Sequence, residues 1–273
     1  MMHMDAAAAQ KVASAPRPVI EVNRVSFTYG SGDGDRVLSN VSIQCREGEF
    51  FSLLGPSGCG KTTVLRLLAG FEQPSSGNVR ANGQTLRGPG VDRGVVFQGD
   101  DSLFNWLTAA DNVTFGPRVR RLPLAERRRL TERYIDLVGL KGHGSKFPAE
   151  LSGGMRQRIQ IARVLANNPQ ILLMDEPFGA LDAQTRNELQ DELVRIWAET
   201  QKTVVFITHD IAEAILLSDR IGVMTSGPGA TIREVVSVDI ARPRLRSSIE
   251  FGKLYERINA IIVDEVKKSR TRG

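Results

Sequence analysis

Gly55-Pro56-Ser57-Gly58-Cys59-Gly60-Lys61-Thr62-Thr63 constrains the fold more than any other stretch of the chain. It fits G-x-x-x-x-G-K-[ST], with an apolar strand predicted before it at 49–54 and a helix after it that puts Leu65, Leu68 and Ala69 on one face. Glycines at this spacing let the backbone wrap closely around phosphate oxygens, while N–H groups at the head of the helix face the anion. In such a loop Lys61 reaches the β- and γ-phosphates of a nucleotide, and the Thr62 hydroxyl coordinates Mg²⁺. Cys59 is expected to be open to thiol reagents when nucleotide is absent and to take no part in chemistry.

The rest of the chain alternates strands and helices around that loop. Residues 19–25 predict a strand, followed by Phe27-Thr28-Tyr29-Gly30 and a turn-rich patch at 31–36. Asp33-Gly34-Asp35 is no calcium loop, since Leu38 stands where the bend glycine belongs and Gln44 where the bidentate glutamate belongs. Residues 78–86 predict a hairpin turning at Asn82-Gly83, and 95–97 a short strand ending at Gln98. From 99 to 168 strand signals give way to helical ones, with helices expected at 124–138 and 155–166. Continuous apolar runs at 171–174 and 203–207 read as strands covered on both faces. Helices are expected at 183–200 and 211–218, a strand at 220–224, and an amphipathic helix at 248–268 with Phe251, Leu254, Ile258, Ile261 and Ile262 apolar. This is an α/β pattern with a parallel, doubly wound sheet, which binds ligand beyond the carboxyl ends of its strands. Leu54, Met174 and Ile207 are three such ends.

Composition narrows the setting. The 273 residues carry a net charge of only +5, which does not argue for nucleic acid. Two cysteines are no disulfide framework. No run approaches the ~18 apolar residues of a membrane span, so a membrane role is expected to come through a partner. Residues 1–18, rich in Ala, Pro and Ser, read as a disordered leader and not as a secretory signal. Asn112-Val113-Thr114 reads as a chance glycosylation match.

The polar residues beyond the strand ends suggest chemistry. Asp175 suits the carboxylate that magnesium–phosphate chemistry needs at a strand end, and Glu176 can polarise the attacking water. His209, ending another strand, is expected near the γ-phosphate. The amide oxygen of Gln98 can reach Mg²⁺ or the water.

With these residues in place the chain resembles the ATP-binding subunits of ABC transporters. The resemblance rests on the phosphate loop, Gln98, Leu151-Ser152-Gly153-Gly154-Met155-Arg156-Gln157, residues 171–177, Gly179-Ala180-Leu181-Asp182 and His209, in the family's order and spacing over 19–244. Residue 155 is Met where the family most often has Gln. The resemblance implies a P-loop ATPase core in three layers over 19–242. An antiparallel β subdomain, an inserted helical subdomain at 99–168 and a C-terminal helical extension at 243–273 complete it. It further implies that Tyr29 stacks on adenine, with burial in the core as the alternative. Gly55, Pro56, Ser57, Gly58, Cys59, Gly60, Lys61, Thr62 and Thr63 bind ATP. Thr62, Gln98 and Asp175 serve Mg²⁺. Glu176, His209, Lys61 and Gln98 act in catalysis. Ser152, Gly153, Gly154 and Asp182 act on the nucleotide of a second copy in a head-to-tail dimer.

A finer resemblance lies in residues 87–98, from Arg87-Gly88-Pro89-Gly90 to Phe97-Gln98, and in Thr225-Ser226-Gly227-Pro228-Gly229. These look like the branch that imports taurine, other sulfonates, nitrate and related anions, and are most similar to taurine import subunits. Trp106 suits that branch; Asn105 departs from its usual Pro. The implied partners are a membrane permease and, indirectly, a periplasmic substrate-binding protein, with the chain at the cytoplasmic face of the inner membrane. Nitrate, bicarbonate or pyrimidine-precursor import is the alternative within transport. A soluble ATPase acting on ribosomes or DNA is the alternative outside it, though the chain has one nucleotide module and no sustained heptads.

Overall fold

Three strands buried along their whole length form the centre of the molecule: β3 (Phe50–Leu54), β7 (Ile171–Asp175) and β8 (Thr203–Thr208). The structure, a computed structural model, describes residues 18–30, 36–99 and 102–270. Of the leader expected at 1–18, residues 1–17 lie outside the described residues, as does the turn at 31–35, while Pro18 already belongs to a strand paired with Arg46. With β6 (Arg93–Val96), β9 (Arg220–Met224) and β10 (Ile232–Ser237) the central strands make a six-stranded sheet, ordered β10-β9-β3-β8-β7-β6. All neighbours are parallel except β10, which pairs antiparallel with β9 at the edge.

Alternation along these strands splits the core into layers. Phe51, Leu53, Leu173, Val205 and Ile207 face helix α1 (Lys61–Ala69) and a second sheet. Phe50, Leu172, Met174, Val204 and Phe206 face the opposite side, where α4 (Gly153–Leu165) and α5 (Ala183–Thr200) pack. The second sheet is antiparallel and four-stranded, ordered β2-β1-β4-β5 from β1 (Pro18–Thr28), β2 (Arg36–Arg46), β4 (Ser76–Ala81) and β5 (Gln84–Thr85). Asn82 and Gly83, at φ 52° and 75°, turn the β4–β5 hairpin as their type demands. The expected three-layer core with its antiparallel β piece is therefore what forms.

Residues 102–168 hold only helices: α2 (Ala109–Val119), α3 (Leu124–Leu137), a single 3-10 turn at Pro148–Glu150, and α4. Thr108 caps α2 by accepting the Asp111 N–H at 3.1 Å. Asn112 is fully buried and bonds Phe104, Leu107 and Thr108 main-chain groups, so the sequon there serves packing.

The chain closes with α6 (Ile211–Leu217) and α7 (Ile249–Arg270). Phe251 and Ile258 of α7 are buried against α6, β9 and β10, with Leu254, Ile261 and Ile262 packed beside them, as the amphipathic pattern predicts. Between α6 and α7, the buried Arg244 guanidinium donates to the carbonyls of Ile215, Leu216, Ser218, Val238 and Ile240. Burial pulls its pKa down to about 10. Arg242 adds an ion pair to Asp219 and lies over the Trp197 ring at 4.4 Å. The segment after 242 is thus stapled to the core.

Candidate nucleotide site

Strand register brings the candidate residues together. Leu54 pairs with Thr208, Ile207 with Asp175, and Met174 with Val96. The loops after β3, β8, β7 and β6 therefore leave the carboxyl edge side by side, carrying the phosphate loop, His209, Glu176 and Gln98.

The phosphate loop owes its shape to backbone that only glycine adopts freely. Gly60 has φ 89°, and a Cβ there would stand 2.8 Å from Leu38 Cδ2. Gly58 has φ 77°, and a Cβ there would meet nothing within 4 Å, so the loop's outer side is open. Lys61 is buried, with Nζ donating to the carbonyls of Gly55 at 2.8 Å and Pro56 at 3.0 Å. Helix α1 begins with no side-chain cap and no acidic residue in its first turn. Its leading N–H groups and its dipole are thus left for an anion.

At the end of β7 the Thr62 hydroxyl donates to Asp175 Oδ1 at 3.2 Å. Burial pushes the Asp175 carboxyl up, against the pull of that hydrogen bond. A hydroxyl and a half-desolvated carboxylate, both hard oxygen donors beside a phosphate cradle, fit Mg²⁺, which takes few protein ligands and completes its shell with water and phosphate. Among the described residues there is no cluster of three or more His, Cys, Asp or Glu that could hold a metal.

Glu176 adopts a left-handed backbone, φ 40°, held by its N–H to Ile207 O at 3.0 Å and by the Gly179 N–H to its carbonyl at 3.1 Å. This turns the carboxylate across the sheet edge. Oε2 lies 3.0 Å from His209 Nδ1, and Oε1 lies 4.0 Å from Lys61 Nζ. Gln98 borders the same spot, since a Cβ built on Gly179 would lie 3.5 Å from Gln98 Nε2 and 4.0 Å from Glu176 Oε2. A carboxylate, an imidazole, an ammonium and an amide therefore converge beside the phosphate loop.

Tyr29 is 46% exposed, edge-on to Phe27 at 4.7 Å, with its hydroxyl 3.3 Å from Thr63 Oγ1. It is no core aromatic. It stands at the head of α1, clear of burial.

The expectation for Cys59 needs correction. Its side chain is buried and burial pushes the thiol pKa up, so it is neither open to reagents nor ionised. Sγ folds back under the loop, 3.0 Å from where a Cβ on Gly55 would stand. Only the Cys59 backbone can face a phosphate.

The second group of residues lies elsewhere. Ser152 caps α4, its Oγ accepting the Met155 N–H at 3.3 Å. Gly154 lets α4 approach α5 closely, since a Cβ would stand 2.5 Å from Thr185 Cγ2. Asp182 caps α5 by accepting the N–H groups of Gln184 at 3.1 Å and Thr185 at 3.0 Å, which hold its carboxyl below the usual range. Among the described residues no hydrogen bond joins residues 152–154 to residues 55–63. The exposed Ser152 and the α4 N-terminus thus stand apart from the phosphate loop within one chain.

Two cavities bear on the site by contrast. One of about 360 Å³ abuts Pro56, Ser57 and Gly58 and is lined further by Arg36, Val266 and Pro228, the last from the 225–229 stretch noted in the sequence. The larger, about 930 Å³, lies between α2 and α3 and shares no residue with the site.

Residues 38–179 match the ABC transporter family, and the chain belongs to it, carrying its ATP-binding domain. An uncharacterised ABC transporter ATP-binding protein of Methanocaldococcus jannaschii is 50% identical over 88% of this chain and 89% of its own length. A bicarbonate transport ATP-binding protein of Synechococcus elongatus is 47% identical over 87% of this chain, which spans only 36% of that protein. A taurine import ATP-binding protein of Roseobacter denitrificans is 42% identical over 90% of this chain and 94% of its own length. Among solved structures, a dimeric ATP-binding cassette in a post-hydrolysis state with ADP and Pi superposes at TM-score 0.69 and 32% identity, over 81% of this chain and all of that one.

Proposed function

We propose that the chain is the ATP-hydrolysing subunit of an ABC importer, working as a head-to-tail pair against a membrane permease. The observation that carries this reading is Glu176 set between His209 and Lys61 at the phosphate loop, 3.0 and 4.0 Å away, while Ser152 heads a separate helix. One chain holds the two surfaces but does not bring them to one nucleotide. A second copy, turned head to tail, supplies the missing half, and the dimeric cassette with ADP and Pi is support for that arrangement.

In this reading Tyr29 stacks on adenine, and the loop from Gly55 to Thr63 wraps the phosphates, with Lys61 turning from its carbonyls to the β- and γ-phosphates. Thr62, Gln98 and Asp175 would hold Mg²⁺ and its water shell, which would supply positive charge against the phosphates. Ser152 and the N–H groups of Gly153 and Gly154 from the second copy meet the γ-phosphate, and Asp182 lies at the junction of the two copies. Glu176 orients the attacking water and takes its proton. His209, held by Glu176 through Nδ1, steadies the γ-phosphate and the water. Catalysis here is positioning and charge stabilisation.

Coupling to the permease falls to the aromatic cluster after Gln98. Trp106 is 74% exposed, its ring 5.3 Å from Phe104. No described helix is long and apolar enough to cross a membrane. We place the protein on the cytoplasmic face of the inner membrane, with a periplasmic binding protein delivering the substrate to the permease.

For the transported substrate we propose taurine or a related sulfonate, on the Gly-Pro-Gly motifs at 88–90 and 227–229 and the taurine import relative. The bicarbonate transport relative, at higher identity, favours an inorganic anion as the second reading. A strain lacking the gene decides between them. Loss of growth on taurine as sole sulfur source supports the first, and growth on taurine with loss of bicarbonate or nitrate uptake supports the second. A purified Glu176→Gln protein that stays monomeric with ATP and Mg²⁺ would remove the basis of the whole reading.

A further inference from the structure

The His209 side chain is 57% exposed, so packing on the ring does little to fix it. Nδ1 nevertheless meets Glu176 Oε2 at 3.0 Å. The ring's placement must come from the backbone on either side, and there a chain of polar contacts leads inward. The buried Thr208 hydroxyl donates to Glu213 Oε2 at 2.6 Å and accepts the Asp210 N–H at 3.0 Å. Asp210 Oδ1 accepts the Glu213 N–H at 3.0 Å and so caps α6. Glu213 Oε1 accepts from Gln190 Nε2 on α5 at 2.9 Å. Gln190 Oε1 accepts from Arg246 Nη2, which also donates to Asn187 Oδ1 at 3.2 Å.

With Glu213 ionised, donor and acceptor directions leave this chain one arrangement. Arg246 can only donate, so Gln190 presents its oxygen to Arg246 and its NH₂ to Glu213. The Thr208 hydrogen is then aimed at the other Glu213 oxygen, which leaves a Thr208 lone pair for the Asp210 N–H. Thr208 and Asp210 flank His209 on both sides. Glu213 and Gln190 are both buried, so each broken link leaves a polar group without water.

We propose that Thr208 and Glu213 are positioning residues for His209, and that Arg246, from the segment before α7, tethers them through Gln190. The inference rests on the catalytic reading of His209, and it gives the C-terminal segment a part in that site. Neither Glu213 nor Thr208 touches the reacting atoms. They set the backbone from which the imidazole reaches Glu176.

The test uses the full chain and two readouts: MgATP hydrolysis, and the imidazole NMR signals of His209, one of three histidines. Thr208→Val keeps the side chain's shape and removes the hydroxyl. It should lower kcat about tenfold with KM for ATP held within about twofold, and Thr208→Ser should restore it. Glu213→Ala should do the same, and Arg246→Ala more weakly. In a His209→Ala background, Thr208→Val should add no further loss, because the two changes remove one function. The His209 signals should move toward those of an unconstrained histidine in Thr208→Val. Unchanged kcat and unchanged His209 signals in Thr208→Val overturn the proposal. So does a loss of equal size with and without His209, which would mark a general structural effect. A His209→Ala protein with full activity would refute the catalytic reading of His209 instead; the NMR signals then decide the placement claim alone, and unchanged signals overturn it.

Discussion

Glu176→Gln separates two effects that the geometry assigns opposite signs. The substitution keeps the side chain's size and removes one negative charge from a group 3.0 Å from His209 Nδ1 and 4.0 Å from Lys61 Nζ. Losing a positioned base costs about 10²–10⁴ in rate, or roughly 3–5 kcal/mol of barrier at ~1.4 kcal/mol per tenfold. Losing the charge works the other way on binding. Unit charges 4 Å apart attract by ~1 kcal/mol in water and ~4 kcal/mol at an effective dielectric of 20. With Glu176 partly in solvent the smaller figure governs, and freeing Lys61 for an incoming phosphate tightens ATP by up to roughly fivefold for ~1 kcal/mol. Phosphate release at saturating MgATP should fall at least about a hundredfold. Calorimetric ATP affinity should hold or rise, and light scattering should show a dimer that persists with ATP. A variant that keeps more than about a tenth of wild-type kcat, or that binds ATP several-fold more weakly, would refute the assignment of Glu176.

Other residues carry separate expectations. Arg244→Ala strands five carbonyls and should destabilise the fold by about 3–5 kcal/mol, read as a drop in the thermal midpoint on the order of 10 °C; a drop below about 2 °C would mean water replaces the guanidinium. Tyr29→Ala should raise KM for ATP several-fold more than it lowers kcat, whereas Tyr29→Phe loses only the Thr63 contact and should stay within about twofold. Cys59 should resist iodoacetamide at pH 8 in the native protein and react on unfolding, because its raised pKa keeps it protonated there; rapid native labelling by mass spectrometry would contradict its burial. Trp106→Ala should leave the ATPase of the isolated chain unchanged and lower permease-coupled transport, and loss of the isolated activity would make it a packing residue instead.

The site was legible because its parts sit at strand ends in a parallel sheet, where sequence order and register together fix proximity. Asp175 and His209 needed only their apolar strands to be recognised, and α5 begins at Ala183 because Asp182 caps it. Strand β2 escaped notice because Ser39-Asn40 interrupts its alternation, with Asn40 at φ 54°. Strand β10 is an edge strand whose burial alternates, but with Glu234 on the inward side and the apolar Val235 exposed its residue types hide the period. Cys59 misled because a small residue among glycines reads as solvent-facing, and the backward turn of its Sγ depends on the loop's folded path. The Arg246–Gln190–Glu213–Thr208 chain draws on three helical or strand elements and a connecting segment, and no local pattern links residues that far apart.

The cavity shared by Val266 with Ser57 and Gly58 sets a practical limit on how this protein can be handled. Helix α7 rises about 1.5 Å per residue, so Arg270, its last residue, lies only about 6 Å along the axis from Val266, which lines the cavity against the phosphate loop. An affinity tag or fluorescent reporter fused at that end would crowd ATP entry and could mimic a catalytic defect.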